Sequence, residues 1–290
     1  MVRLILVASL LICAITTVYA HPQPRDESRQ IGCGTEPPVE FLDAASQISA
    51  WEAETRTNGT KTDSARAATV TIDTYIHVVA RSTDLSGGYV PAAQLTDQIS
   101  VLNQHYAPAG FQFKLVATDY TVNTAWAADA NGNDVAMKRA LRKGTYSSLN
   151  IYFQHTVSGY LGYAQFPQVA AVGSTDYITD GLNIIYTAAP GGSLRNYNLG
   201  GTVTHEVGHW LGLFHVFQGG CTGSGDMIAD TPPQSTLTDG CPVGQDSCSG
   251  GGFDSIHNYM DYSYDSCYES FTPNQITRMT NMWSTYRDGL

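Results

Sequence analysis

A chain of 290 residues has room for one large domain or two ordinary ones, and a composition of 42% hydrophobic and 14% charged residues is that of a globular protein. The formal net charge is −11 with no run of Lys and Arg, which excludes nucleic acid and anionic membranes as natural partners. Little charge beside 28 Gly and 17 Tyr suits a secreted protein better than a cytosolic one.

The chain begins "MVRLILVASLLICAITTVYA". Arg3 gives a positive start, Leu4 to Ile15 an apolar run, and Val18 and Ala20 the small residues of a cleavage site. The run is short for a membrane span, so residues 1–20 read as a cleaved secretory signal. No later stretch is apolar enough to cross a bilayer, and the mature protein is expected to be soluble, extracellular and monomeric. From His21 to about Arg66 periodicity is weak, "CGTEPP" is Pro-rich, and "ASQISAWEAE" predicts a short helix. Asn58-Gly59-Thr60 is a glycosylation sequon and implies an exposed loop. Residues 21–66 read as a pro-region, and 67–290 as the functional domain.

Alternating β-branched and aromatic residues predict a strand over Ala68 to Ala80. A helix follows in "PAAQLTDQISVLNQHYAP", with Pro91 near its start and Gly110 past its end. "FQFKLVATDYTV" predicts a strand, "DVAMKRALRK" a short helix, and "SLNIYFQHT", "GYLGYAQFP" and "GLNIIYTAA" three more strands. This order implies a mixed α/β sheet with helices packed on it. Gly200-Gly201 break the chain, and Thr202 is expected to cap a new helix. Beyond His215 the sequence turns irregular until "TPNQITRMTNMWSTYR", a helix with Thr272 as cap and Pro273 in its first turn.

The new helix carries "THEVGHWLGLFH". His205 and His209, four residues apart, project from one face and can bind one ion. Glu206 lies on the flank, placed to reach a water without being a ligand. Gly212 can end the helix in a left-handed turn, bringing His215 round as a third ligand. Three imidazoles and an open fourth position describe a catalytic zinc site and not a structural one. His77, His105, His155 and His257 lie off this pattern and read as structural or surface residues.

HExxHxxGxxH resembles the metzincin signature. "HNYMDYS" offers Met260 where metzincins carry a methionine turn below the metal, and Tyr262 where several of them hold a tyrosine. With "HVFQGGC", "DMIADTPPQ" and "FTPNQ", the chain from about Val70 is similar to the pappalysins, and among them to secreted fungal-type extracellular metalloproteases. The resemblance implies a mixed twisted sheet with a backing helix and an active-site helix. Below them it implies an irregular, disulfide-braced subdomain closed by a terminal helix. It implies hydrolysis of protein or peptide substrates, with Zn²⁺ on His205, His209 and His215 and Glu206 as general base. Tyr262 would bond the developing oxyanion, Met260 would form a structural floor, and "GYLGYAQFP" would be the edge strand that pairs with substrate. The alternatives are a metzincin of another family and a non-catalytic secreted binding protein on this fold.

Once Cys13 leaves with the signal, five cysteines remain. Cys221, Cys241, Cys248 and Cys267 suggest two disulfides with three possible pairings. The resemblance implies Cys221–Cys248 and Cys241–Cys267. Cys33, in "IGCGTEPP", stands apart: its thiolate could fill the fourth metal position and keep the enzyme latent until cleavage near Arg66, the alternatives being an intermolecular disulfide or a place in the bridge network. Asp226 and Asp230, in a Gly-rich loop, are candidates for a structural Ca²⁺. Asp261, Asp265 and Glu269 follow Met260, and an acidic wall there would favour Arg or Lys after the scissile bond.

Overall fold

The structure, a computed structural model, describes residues 32–57, 69–129 and 133–290. The signal segment, Asn58 and Arg66 lie outside the described residues.

Strand β1 (Val70–Ala80) runs through the middle of the sheet, parallel to β2 (Phe111–Val122) on one side and to β3 (Leu149–Gln154) on the other. Between β1 and β2 the chain crosses over through α2 (Ala92–Tyr106). This helix buries Leu95, Ile99, Leu102 and Tyr106, a spacing that sets one stripe against the sheet. The order is β2-β1-β3-β5-β4, with β5 (Leu182–Ile185) parallel to β3 and β4 (Gly162–Ala164) antiparallel at the edge. Strands β3 and β5 are buried at every residue, Asn150, Gln154 and Asn183 included.

Strand β4 is shorter than "GYLGYAQFP" predicts. Past Ala164 the chain leaves the ladder, because Phe166 packs into an aromatic cluster with Phe41 and Phe214 and Pro167 has no N–H to donate. Helices α3 (Thr124–Ala127) and α5 (Thr175–Thr179) are too short for periodicity to reveal, though Asn123 and Ser174 cap them through their side chains. The chain also contains α4 (Asn133–Leu141), α6 (Gly201–Trp210) and α7 (Pro273–Tyr286). Thr272 caps α7 in a capping box with Gln275, and Pro273 opens the first turn. From Leu211 to Thr272 the only helical stretch is a single turn at Asp265–Cys267, and two disulfides brace the segment: Cys221–Cys248 and Cys241–Cys267. Near the N-terminus, α1 (Val39–Thr57) is longer than the short helix its sequence predicts. Tertiary contact extends it, since Phe41, Ala45 and Glu52 are buried against the domain.

A buried ion pair fixes the end of α6. The Arg287 guanidinium lies 3.6 Å over the Trp210 ring and donates to Trp210 O (3.2 Å), Tyr146 O (3.1 Å) and Asp180 Oδ1 (2.9 Å). Trp210 Nε1 donates to the same Asp180 oxygen at 3.1 Å. Among the described residues no helix is long and apolar enough to cross a membrane.

Candidate metal centre

Helix α6 is buried along its whole length, so polar side chains on it must find partners or a ligand. Its start differs from the sequence expectation. Thr202 lies inside the helix, and the cap is Gly200 with φ +94°. The exposed amides are instead met from across the fold: Asp265 Oδ2 accepts from Leu199 N (2.7 Å) and Gly201 N (3.2 Å), placing a carboxylate at the positive end of the helix. At the other end Gly212 takes φ +89°, with Gly212 N donating to His209 O and Leu213 N to Gly208 O. That left-handed turn reverses the chain and returns His215 beneath the helix.

The three imidazoles converge. His209 Nε2 lies 3.1 Å from Nε2 of both His205 and His215. His205 Nδ1 donates to Tyr259 O and His209 Nδ1 to Leu213 O, each at 2.7 Å. Those bonds place the ring hydrogens on Nδ1 and leave bare lone pairs at Nε2 facing one another. Burial keeps all three rings neutral, pushing His205 down to about 4 and the other two well below the usual range. Lone pairs this close repel unless a cation lies between them, and neutral imidazoles suit a divalent transition metal. Phe217 stacks on the His215 ring at 4.8 Å and Phe166 meets His209 edge-on at 5.5 Å, walls that hold the ligands in place.

The structure brings Cys33 to the same point. Its Sγ and the three His nitrogens all lie within 4.8 Å of one another. The thiol donates to Glu206 Oε2 (3.2 Å), and Thr35 Oγ1 donates to the same oxygen (3.0 Å). Thr35 carries no signal in the sequence that marks it for this contact. Burial raises the Glu206 carboxyl to about 8 and raises the Cys33 thiol, which also faces that carboxylate. Tyr262 Oη donates to Cys33 O at 3.2 Å and lies 3.2 Å from His215 Nε2. Gly32 adopts φ +101° beside the Tyr262 ring, where a Cβ would come within 2.6 Å of a ring carbon. The segment is zipped to the sheet edge: Leu161 N donates to Gly32 O, Gly34 N to Gly162 O, and Ala164 N to Thr35 Oγ1.

Met260 lies under the helix with its sulfur against Gly208, and Tyr259 just before it receives the His205 hydrogen bond. Beside Glu206 a cavity is lined by Leu161, Tyr197, Thr202 and Asp265. Asp265 Oδ1 is buried without a hydrogen-bond partner, and burial raises this carboxyl to about 6. The other two acids do not line it. Asp261 is consumed internally by Gln234 and Thr238, and Glu269 is exposed beside His257.

The structure lends the calcium expectation no support. Asp226 accepts from Ile228 N and Thr231 Oγ1, and Asp230 from Thr272 Oγ1 and Asn274 N. Neither belongs to a cluster of possible metal ligands among the described residues. Of the other histidines, His77 is buried between Asp119 and Asn150, His105 bonds Thr204, His155 stacks on Tyr186, and His257 sits beside the Cys241–Cys267 disulfide, whose sulfurs are already bonded.

The family described as pregnancy-associated plasma protein-A, peptidase M43, matches residues 134–284. The chain belongs to that family. An extracellular metalloprotease of Podospora anserina is 53% identical over 278 residues, covering 93% of this chain and 94% of the relative. Extracellular metalloprotease 1 of Coccidioides posadasii is 52% identical, covering 89% and 90%. Two solved structures share the fold. Mature mirolysin of Tannerella forsythia in complex with a cleaved peptide has a TM-score of 0.62 at 30% identity, covering 76% of this chain and 93% of that one. A mutant of promirolysin from the same organism has a TM-score of 0.65 at 28% identity, covering 88% and 94%. The chain is therefore a metalloprotease of the M43 family with a metzincin fold, acting on peptide or protein substrates.

Proposed function

We propose that this is a secreted zinc-dependent endopeptidase in its latent form, with residues 21–66 as pro-segment and Cys33 as the plug. The observation that carries the reading is the convergence of three bare imidazole nitrogens beside a buried carboxyl, with a thiol inserted from outside the domain. Bound at His205, His209 and His215, zinc supplies a Lewis acid for the scissile carbonyl and lowers the pKa of water to about 7.

The protein groups do the rest. Once Cys33 and Thr35 withdraw, Glu206 Oε2 loses both donors and is open to water. Glu206 then takes a proton from the attacking water and returns it to the leaving amine. Tyr262 Oη, released from Cys33 O, is free to donate to the oxyanion. Leu161 N, Gly162 O and Ala164 N, now engaged by residues 32–35, would hold the backbone of an extended substrate. The unpartnered Asp265 oxygen favours Arg or Lys in the cavity beside Glu206.

Secretion through the 1–20 signal accords with relatives named extracellular metalloproteases. A longer part of this chain matches promirolysin than mature mirolysin, 88% against 76%, which supports a pro-segment ending near Arg66. Asn58 beside that cut is the glycosylation site in this reading.

The test is proteolysis of casein by the processed protein, with and without 1,10-phenanthroline, beside Glu206→Ala. Activity abolished by both sustains the reading. Activity that survives either one sinks it, and a processed protein with no activity on any substrate favours a binding protein.

A further inference from the structure

Cys33 is one of two separate anchors on the N-terminal segment. The second makes no direct contact with the metal ligands. On one face of α1, Phe41, Ala45, Ile48 and Glu52 follow one another at helical spacing. Phe41 stacks on Phe166 at 4.5 Å and meets Phe214 edge-on at 5.7 Å, in a seat completed by Met282 and Tyr286. Three turns further on, Glu52 is gripped from α7. Arg278 Nε donates to Oε1 and Nη2 to Oε2, both at 3.0 Å, and Asn281 Nδ2 adds a third bond at 2.9 Å. The side chains of Glu52 and Arg278 are 3% and 1% exposed. Ser49 Oγ also donates to Met227 O.

A fork-to-fork ion pair shielded from water is screened little by salt and is costly to break from one side. None of these contacts involves the thiol, the ligands or β4. We propose that this seat is a docking site for the excised pro-segment itself, which stays bound after the chain is cut and inhibits reversibly, on its own or on a second copy. Cys33 then blocks the chemistry, while Phe41 and Glu52 supply the affinity. The proposal rests on the pro-segment reading above and deepens it: cutting the chain would not suffice for activity, because a seated α1 keeps Cys33 at the centre. The mature surface would keep Arg278 as a cation beside an aromatic hollow, complementary to an acidic helix with an aromatic residue three turns before its carboxylate.

To test this, a recognition sequence for a site-specific protease is placed between residues 58 and 68 of the full chain, and the secreted protein is cut and passed over a sizing column. The wild-type fragment should co-elute with the body, and casein hydrolysis should rise on dilution and fall when fragment is added back. Cys33→Ser should keep the fragment on the column yet show activity at once. Glu52→Gln should weaken retention by roughly 30-fold or more. Phe41→Ala, at the opposite end of the helix, should act in the same direction, so the result does not hang on one variant. Thermal unfolding of each uncut variant checks that the body is folded. A wild-type fragment that leaves on cutting, or one released by Cys33→Ser but retained by both α1 variants, overturns the proposal. Co-elution reports docking and proteolysis reports latency. A retained fragment on a body that is inactive even when stripped would therefore refute the latency reading alone.

Discussion

Gly208, between the two histidines of α6, faces the sulfur of Met260, and a Cβ at position 208 would stand 2.3 Å from Sδ. The helix rests directly on the methionine, and the depth of that contact sets the height of His205 and His209 above the turn. Alanine at 208 must lift the helix or displace Met260. Gly208→Ala should cost on the order of 1–3 kcal/mol by overpacking, despite alanine's better helix propensity. Differential scanning calorimetry and zinc content per chain would both fall; an unchanged melting temperature with full zinc would contradict the contact.

Removing the thiol should separate latency from folding. Cys33→Ser leaves the α1 seat intact, but serine is a far weaker metal ligand than a thiolate, so a short peptide can displace residues 32–35 from β4. Uncut Cys33→Ser protein should hydrolyse a short peptide at least tenfold faster than uncut wild type. Equal rates would remove Cys33 from the latency mechanism.

Asp265 links specificity to pH. Burial raises its carboxyl to about 6, so the charge that attracts a basic side chain is present above that pH and fades below it. The ratio of kcat/KM for an Arg peptide over its Gln counterpart should rise as pH climbs through about 6, and Asp265→Asn should flatten it. For stability the sign is opposite. A carboxyl with a raised folded pKa contributes most below its unfolded value and loses that contribution as pH rises through about 6. The Asn variant should therefore lose less stability than wild type over the same interval, read from urea midpoints.

Arg287 should be indispensable to the domain. Replacing it with Met leaves Asp180, buried at 0% exposure, paired with Arg142 at 3.5 Å. Losing one side of such a pair costs about 3–5 kcal/mol. Arg287→Met should unfold well below wild type, and Asp180→Asn combined with it should recover part of the loss. No recovery would mean that the stacking on Trp210 and the carbonyl bonds carry the effect.

Spacing made the centre legible. His205, Glu206 and His209 are neighbours on one helix, and Gly212 announces the turn that returns His215, so local geometry and chain order coincide. The α7 boundary was equally readable because Thr272, Pro273 and Gln275 act on adjacent backbone. Contacts across long separations left no mark. Thr35 reaches Glu206 from 171 residues away, Arg278 reaches Glu52 from 226, and Asp265 caps a helix that begins 64 residues earlier. Thr202 looks like a cap because nothing near it reveals a carboxylate arriving from elsewhere. The β4 expectation runs too long because apolar residues continue to Phe166, whose side chain is drawn into the cluster beneath α1.

The order of these parts along the chain matters during synthesis. Cys33 leaves the ribosome 173 residues before Glu206, whereas Arg287 follows Trp210, at the end of the active-site helix, by 77 residues. On the proposed reading, the plug is made before the helix it blocks can be clamped.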